Sequence, residues 1–212
     1  MKKEKSLIED VVDMGLFCVV SSMDRQTWFP LKSGPGPLFF DTSKIIAYPD
    51  LMEKITQFAT EKIKEEKISF DLIVGAPYGG MPLSYFIASA LHAPCLTLRK
   101  DGSKKTGTMA TFAEILGIYK KGDKVLIIED AISSANTVIE FARRLRKAGL
   151  VVTDVLAIVD VGRGGAENLK VQNIHLNTIF TWKNLYKCYK ARKPGMLDLE
   201  VKKYLDDMFG EK

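Results

Sequence analysis

From about residue 45 onward the chain alternates between two hydrophobic periods. Leu51, Ile55, Phe58, Ala59 and Ile63 recur at helical spacing and predict one amphipathic helix. The segment from Phe70 to Gly75 reads as a short buried strand, Leu83 to His92 as a second helix, and Cys95 to Arg99 as another strand. Lys124-Val-Leu-Ile-Ile-Glu129 carries the clearest strand pattern in the chain. Thr137 to Ala148 follows as a helix that Gly149 closes, and Val155 to Asp160 and Ile174 to Thr181 supply two more strands. Strands that alternate with helices require crossover connections. The pattern therefore predicts an α/β fold with a mostly parallel sheet covered on both faces.

The first 45 residues follow a different pattern. A helix through Ile8, Val11, Val12 and Leu16 precedes Phe17-Cys-Val-Val20, and the segment from Trp28 to Asp41 places two apolar stretches around a Gly/Pro turn. This reads as an N-terminal hood over residues 1–45, with the α/β core and C-terminal helices in 46–212, all within one domain. Between Leu72 and Leu96 there is no Asp, Glu, Lys or Arg, a length that could span a bilayer. However, Gly75, Pro77, Gly79, Gly80, Pro82 and Pro94 break it into strand, turn and helix.

Charge and cysteine usage narrow the partners. The 31 Lys and Arg outnumber the 26 Asp and Glu by five, but they are mixed with acids, as in Glu61 to Lys67. A nucleic-acid footprint would gather them into a patch interleaved with aromatics, so small anionic ligands fit better than nucleic acid or membrane. Cys18, Cys95 and Cys188 have no metal-ligand spacing and are odd in number, which suggests reduced thiols in a cytoplasmic protein. The acid-containing start, Met1 to Asp10, is not a secretory signal.

Chemistry concentrates in Val125-Leu-Ile-Ile-Glu-Asp-Ala-Ile-Ser-Ser-Ala-Asn-Thr-Val-Ile-Glu140. Four buried apolar residues end in two carboxylates, and small, hydroxylic residues then lead into a helix. Ligands of parallel sheets bind at the C-terminal strand ends, and backbone N–H groups at a helix start favour phosphate. Ser133 to Thr137 would therefore take a phosphate, while Glu129 and Asp130, on the rim, would accept from sugar hydroxyls. Read alone, the segment also fits a strand ending in surface acids before a capped helix.

This segment resembles the phosphoribosyl-diphosphate signature of type I phosphoribosyltransferases, and three other segments narrow the resemblance to the orotate phosphoribosyltransferase family. Leu31-Lys-Ser-Gly34 with Pro37-Leu-Phe-Phe-Asp41 looks like its base-binding segment, Asp71 to Leu83 like its strand and pyrophosphate loop, and Leu98-Arg-Lys100 with Lys104-Lys-Thr-Gly107 like its catalytic loop. The resemblance implies a five-stranded parallel core under a hood and Mg²⁺-dependent transfer of ribose 5-phosphate from phosphoribosyl diphosphate to orotate. It implies that Glu129, Asp130, Ala131, Ile132, Ser133, Ser134, Ala135, Asn136 and Thr137 bind the phosphoribosyl group. Tyr78, Gly79, Arg99 and Lys100 would meet the pyrophosphate, and Lys104 or Lys105 would act with Asp130 in catalysis. Lys32, Phe39, Phe40, Ser133 and Arg163 would face orotate, with Lys32 also reaching the phosphoribosyl diphosphate. It further implies a homodimer in which the Lys100–Met109 loop serves the neighbouring subunit's site.

Three positions depart from the family pattern. Ala135 stands where a glycine is usual, Thr106 where an aromatic or His is usual, and Val161 where an Arg would meet orotate's carboxylate, with Arg163 two residues later. The same segments therefore also admit a type I transferase for another base, or a non-catalytic phosphoribosyl-diphosphate sensor.

Overall fold

The computed structural model describes residues 2–30, 35–99 and 114–210. Lys32, Lys100, Lys104 and Lys105, and with them most of the expected catalytic loop, lie outside the described residues. Two compact units emerge, one of residues 48–181 and one of residues 1–47 together with 182–212. The C-terminal helices thus group with the N-terminal segment rather than with residues 48–181.

The larger unit is a six-stranded sheet. Its strands are β3 (Leu72–Gly75), β4 (Cys95–Leu98), β5 (Ile115–Leu116), β6 (Lys124–Ile132), β7 (Val151–Asp160) and β8 (His175–Thr181), in the order β5-β4-β3-β6-β7-β8. Five strands run parallel, and β5 pairs antiparallel to β4 at the edge. The expected five-stranded parallel core is present, with one further edge strand. All four residues of β3 are buried, which accounts for its unbroken apolar run.

Helices α3 (Pro49–Glu65), α4 (Gly80–Leu91), α5 (Asn136–Lys147) and α6 (Gly165–Val171) complete this unit. Along α5, Val138, Phe141, Ala142 and Leu145 keep the i, i+3, i+4, i+7 spacing and pack on Leu72, Val74, Val125 and Ile127. Leu51, Ile55, Ala59 and Ile63 are buried along α3 as expected, whereas Phe58 is only half-buried.

From β3 the chain steps through α4 to β4 on one side of the sheet, and then returns to place β6 on the other side. The β3/β6 boundary is therefore where the strand order reverses. Loops from adjacent strand ends splay apart at such a point and leave a crevice at the carboxyl end of the sheet.

In the smaller unit β1 (Phe17–Val19) pairs antiparallel with β2 (Leu38–Phe40), and Phe29 bridges to Gly36. Helices α1 (Lys2–Asp13), α2 (Ser43–Ala47), α7 (Trp182–Arg192) and α8 (Leu199–Phe209) surround them. Phe17 meets Tyr189 edge-on at 5.9 Å between ring centroids. No helix among the described residues is long and apolar enough to cross a membrane, and Leu72 to Leu96 resolves into β3, a turn, α4 and the start of β4.

Candidate active site

The loop after β3 and the strand end of β6 meet at the topological reversal. Gly79 closes this loop at the start of α4, and a Cβ built on it would lie 1.9 Å from Asp130 Oδ2. Any side chain there would displace the carboxylate, so only glycine lets the backbone approach this closely. Tyr78, one residue earlier, is 68% exposed and follows a cis peptide from Pro77. The expected pyrophosphate loop and the expected acidic pair are thereby brought into contact.

The acids themselves depart from expectation. β6 runs three residues past Glu129, so Glu129 and Asp130 lie within the strand rather than beyond its end. Glu129 is 6% exposed and not on an open rim, while Asp130 is half-buried. Backbone donors orient both: Asp130 N donates to Glu129 Oε1 at 3.0 Å, and Ala131 N donates to Asp130 Oδ1 at 2.8 Å. Parallel pairing with β7 continues through Ala131 and Ile132, which is why the strand persists despite the charged pair.

The expected phosphate turn is shorter than the sequence suggested. Only Ser133, Ser134 and Ala135 are outside regular structure, since Asn136 and Thr137 already form the first turn of α5. Ala135 adopts φ +61°, ψ 9°, the left-handed conformation that a glycine would take without cost. Its carbonyl accepts from Ile139 N at 2.9 Å and so begins the helix. The side chains of Ile132 and Ala135 are buried, so these two can offer a ligand only their backbone. Ser133 and Ser134 are half-buried, and Asn136 and Thr137 are exposed.

Two supports of this mouth were not singled out in the sequence. Arg144 on α5, with only 13% of its side chain exposed, is paired with the Glu114 carboxylate and donates to the Arg99 carbonyl. Arg99 N also donates to Glu114 O at 2.9 Å, so the chain is joined where it leaves β4 and where it returns toward β5. On the other flank, α6 stands against Ser133 and Ser134. Neither support could be read from spacing, because 45 residues separate Arg144 from Arg99 and 34 separate Asn168 from Ser134.

The expected base-side residues fall in both units. On β2, Phe39 is 38% exposed and packs against Phe29 at 5.5 Å between centroids, while Phe40 is 5% exposed. Successive strand residues face opposite ways, so the two rings cannot share one binding face. Phe40 belongs to the apolar core of its unit, paired in register with Phe17. In the larger unit, Val161 N donates to Ile132 O at 2.8 Å, Gly162 N donates to Asp160 Oδ1 at 2.8 Å, and Arg163 is exposed in the loop that follows.

Comparison with known proteins agrees with this geometry. Residues 41–188 match the phosphoribosyl transferase domain family. The chain is 33% identical over 184 residues to an orotate phosphoribosyltransferase of Caenorhabditis elegans, covering 86% of this chain and 76% of that protein. It is 36% identical over 154 residues to uridine 5'-monophosphate synthase of Bos taurus, covering 72% of this chain but 31% of that longer protein. The solved structure of Leishmania donovani UMP synthase superposes with a TM-score of 0.78 at 25% identity, covering 98% of this chain and 42% of that one. A strand-end acid pair against a glycine loop, a left-handed turn opening a helix and this degree of likeness place the chain in the phosphoribosyltransferase family, among the orotate phosphoribosyltransferases.

Proposed function

We propose that the chain transfers ribose 5-phosphate from phosphoribosyl diphosphate to N1 of orotate. The C1–O bond to pyrophosphate breaks, the C1–N1 bond forms, the N1 proton passes to the leaving pyrophosphate or to solvent, and orotidine 5'-phosphate and pyrophosphate leave, a step toward UMP. The observation that carries this reading is the approach of Gly79 to Asp130 at the strand-order reversal, beside the Ser133–Ala135 turn. One substrate that joins a diphosphate, a ribose and a 5-phosphate matches this sequence of a glycine loop, a carboxylate and a helix start.

In this reading the N–H groups of the Ser133–Ala135 turn and the start of α5 hold the 5-phosphate. Asp130, with Glu129 behind it, orients the ribose, and Tyr78 and Gly79 line the diphosphate. Arg99, Lys100 and one of Lys104 and Lys105 neutralise the departing charge. Phe39, Lys32 and Arg163 are the candidates for the base side. The adjacent carboxylates of Glu129 and Asp130 are hard oxygen donors that would suit Mg²⁺. When bound, the ion would supply charge stabilisation for the leaving pyrophosphate. Little proton transfer is needed, so catalysis is positioning and electrostatics.

The finer readings follow from the same family. The protein acts as a cytoplasmic homodimer whose Lys100–Met109 loop serves the neighbouring site. Val161, in the place of an arginine, favours a second reading in which the base is not orotate. Purified protein with Mg²⁺, phosphoribosyl diphosphate and orotate tests the choice. Orotate-dependent pyrophosphate release is expected. Release that requires a different base selects the second reading, and none with any base leaves a sensor.

A further inference from the structure

We propose that Asn168 is a positioning residue that, together with Gly165, sets the direction in which the Ser133–Ala135 turn presents its backbone donors. This rests on the reading of that turn as the 5-phosphate cradle. Asn168 Nδ2 donates to the Ser134 carbonyl at 3.0 Å. A Cβ built on Gly165 would lie 2.4 Å from the Ser133 oxygen but 3.3 Å from its carbon, so that carbonyl also turns its oxygen toward α6. The same Cβ would meet Ile132 Cγ2 at 2.5 Å, which leaves α6 no room to stand this close with any larger residue.

In a trans peptide the C=O and N–H point in opposite directions. Holding the Ser133 and Ser134 oxygens against α6 therefore sends the Ser134 and Ala135 N–H groups to the opposite face of the turn. That is the arrangement an anion needs, since it accepts from N–H groups and is repelled by carbonyl oxygens. A glycine at position 135 would let these peptides flip at small cost. Here the left-handed Ala135, at φ +61°, leaves fewer alternatives, and the external hydrogen bond from Asn168 selects among them. The chemical class so recognised is a phosphomonoester. The diphosphate, on the Gly79 side, does not depend on α6.

The test uses Asn168→Ala and the isosteric Asn168→Asp, which keeps the size but removes the donor. Asn168 is solvent-exposed, so both variants should fold. Ribose 5-phosphate and pyrophosphate are titrated separately by calorimetry. Loss of one hydrogen bond should weaken ribose 5-phosphate by about fivefold in Asn168→Ala, and by more in Asn168→Asp, whose charge faces a carbonyl. Pyrophosphate affinity should stay constant. The KM for phosphoribosyl diphosphate should rise with kcat little changed.

Equal weakening of both probes would mean general loosening, and no weakening of either would remove the role; each result overturns the proposal. Backbone order parameters from NMR relaxation without ligand provide a readout independent of the reaction. Those of Ser134 and Ala135 should fall in both variants while those of β6 stay high, and unchanged values at the turn overturn the proposal. If the unaltered protein bound neither probe, the functional reading would fail, while the order parameters would still decide the role of Asn168.

Discussion

In residues 48–181, the carboxylates at the candidate site are oriented by backbone. Asp130 accepts from Ala131 N at 2.8 Å, and Glu129 accepts from Asp130 N at 3.0 Å. In the unit formed by 1–47 and 182–212, Asp24 and Asp198 likewise accept from backbone N–H groups, but side-chain cations hold Asp13, Glu9 and Asp206. Arg192 grips Asp13 with a two-pronged contact and lies 3.6 Å from Glu9, while Lys190 reaches Asp206 at 2.7 Å beside Tyr186 at 2.9 Å. The difference is chemical. A cation spent on an acid neutralises it, which suits a structural tie. An N–H group of the strand carries no net charge, so it aims a carboxylate without cancelling its charge.

Asp130→Asn is the strongest way to break this comparison. The amide keeps the size and loses the charge, so turnover should fall by about a hundredfold while thermal unfolding shifts little. Turnover within a fewfold of the unaltered enzyme would make Asp130 a structural acid like those of the other unit. Gly79→Ala comes next, since its methyl must displace Asp130 or the loop. Crowding of this kind costs about 1–3 kcal/mol, and it should appear as a loss of about fivefold or more in kcat/KM for phosphoribosyl diphosphate.

Arg144→Ala probes a cation tie of the larger unit that is less exposed than the surface pairs Lys62–Glu66 and Arg143–Glu140. Removing it strips the Glu114 carboxylate and the Arg99 carbonyl of a charged partner. Denaturant titration should report about 1–3 kcal/mol of lost stability. A smaller loss would put this pair with ordinary exposed ion pairs.

Acid should weigh more on the smaller unit, where Asp13 and Asp206 are lowered, than on the larger, where the exposed Glu140 is lowered by its hydrogen bond from Arg143. The hydrogen bond from Arg192 holds Asp13 below the usual carboxylate range. Burial pushes Asp206 up, but hydrogen bonds from Lys190 and Tyr186 outweigh it and leave the group lowered. A carboxylate with a depressed folded pKa stabilises fully above its unfolded value of about 4, and that stability is lost as pH falls through the folded pKa. Both tryptophans, Trp28 and Trp182, lie in the smaller unit. On acidification below about pH 4, tryptophan emission should therefore change before the far-ultraviolet signal of the sheet. Coincident transitions would show that the units do not differ in this way.

Ala135→Gly is the smallest expected effect. Relief of the left-handed conformation, about 1 kcal/mol, opposes loss of one buried methyl, about 0.8 kcal/mol. Stability should therefore stay within about 0.5 kcal/mol of the unaltered chain by these two values. Ala135→Val, with β-branching at a positive φ, should be clearly destabilising.

Periodicity alone determined the α/β alternation, because each strand and helix must bury its own apolar residues whatever surrounds it. Val125 to Ile128 and the face of α5 carry that information locally. The acid pair and the small-residue turn were legible too, since charges after an apolar strand mark a ligand-facing end. What only the tertiary structure decided depends on contacts between distant residues. Pairing with β7 extended β6 past Glu129 to Ile132, a decision made by a neighbouring strand and invisible in the residues themselves. Phe39 and Phe40 look alike in sequence, and only pairing with β1 determines which ring is exposed. The contact of Gly79 with Asp130, the Arg144 tie and the stance of α6 behind Ser133 and Ser134 each join segments far apart in the chain. Sequence spacing holds no information about such approaches; they follow from the order in which the strands are laid side by side.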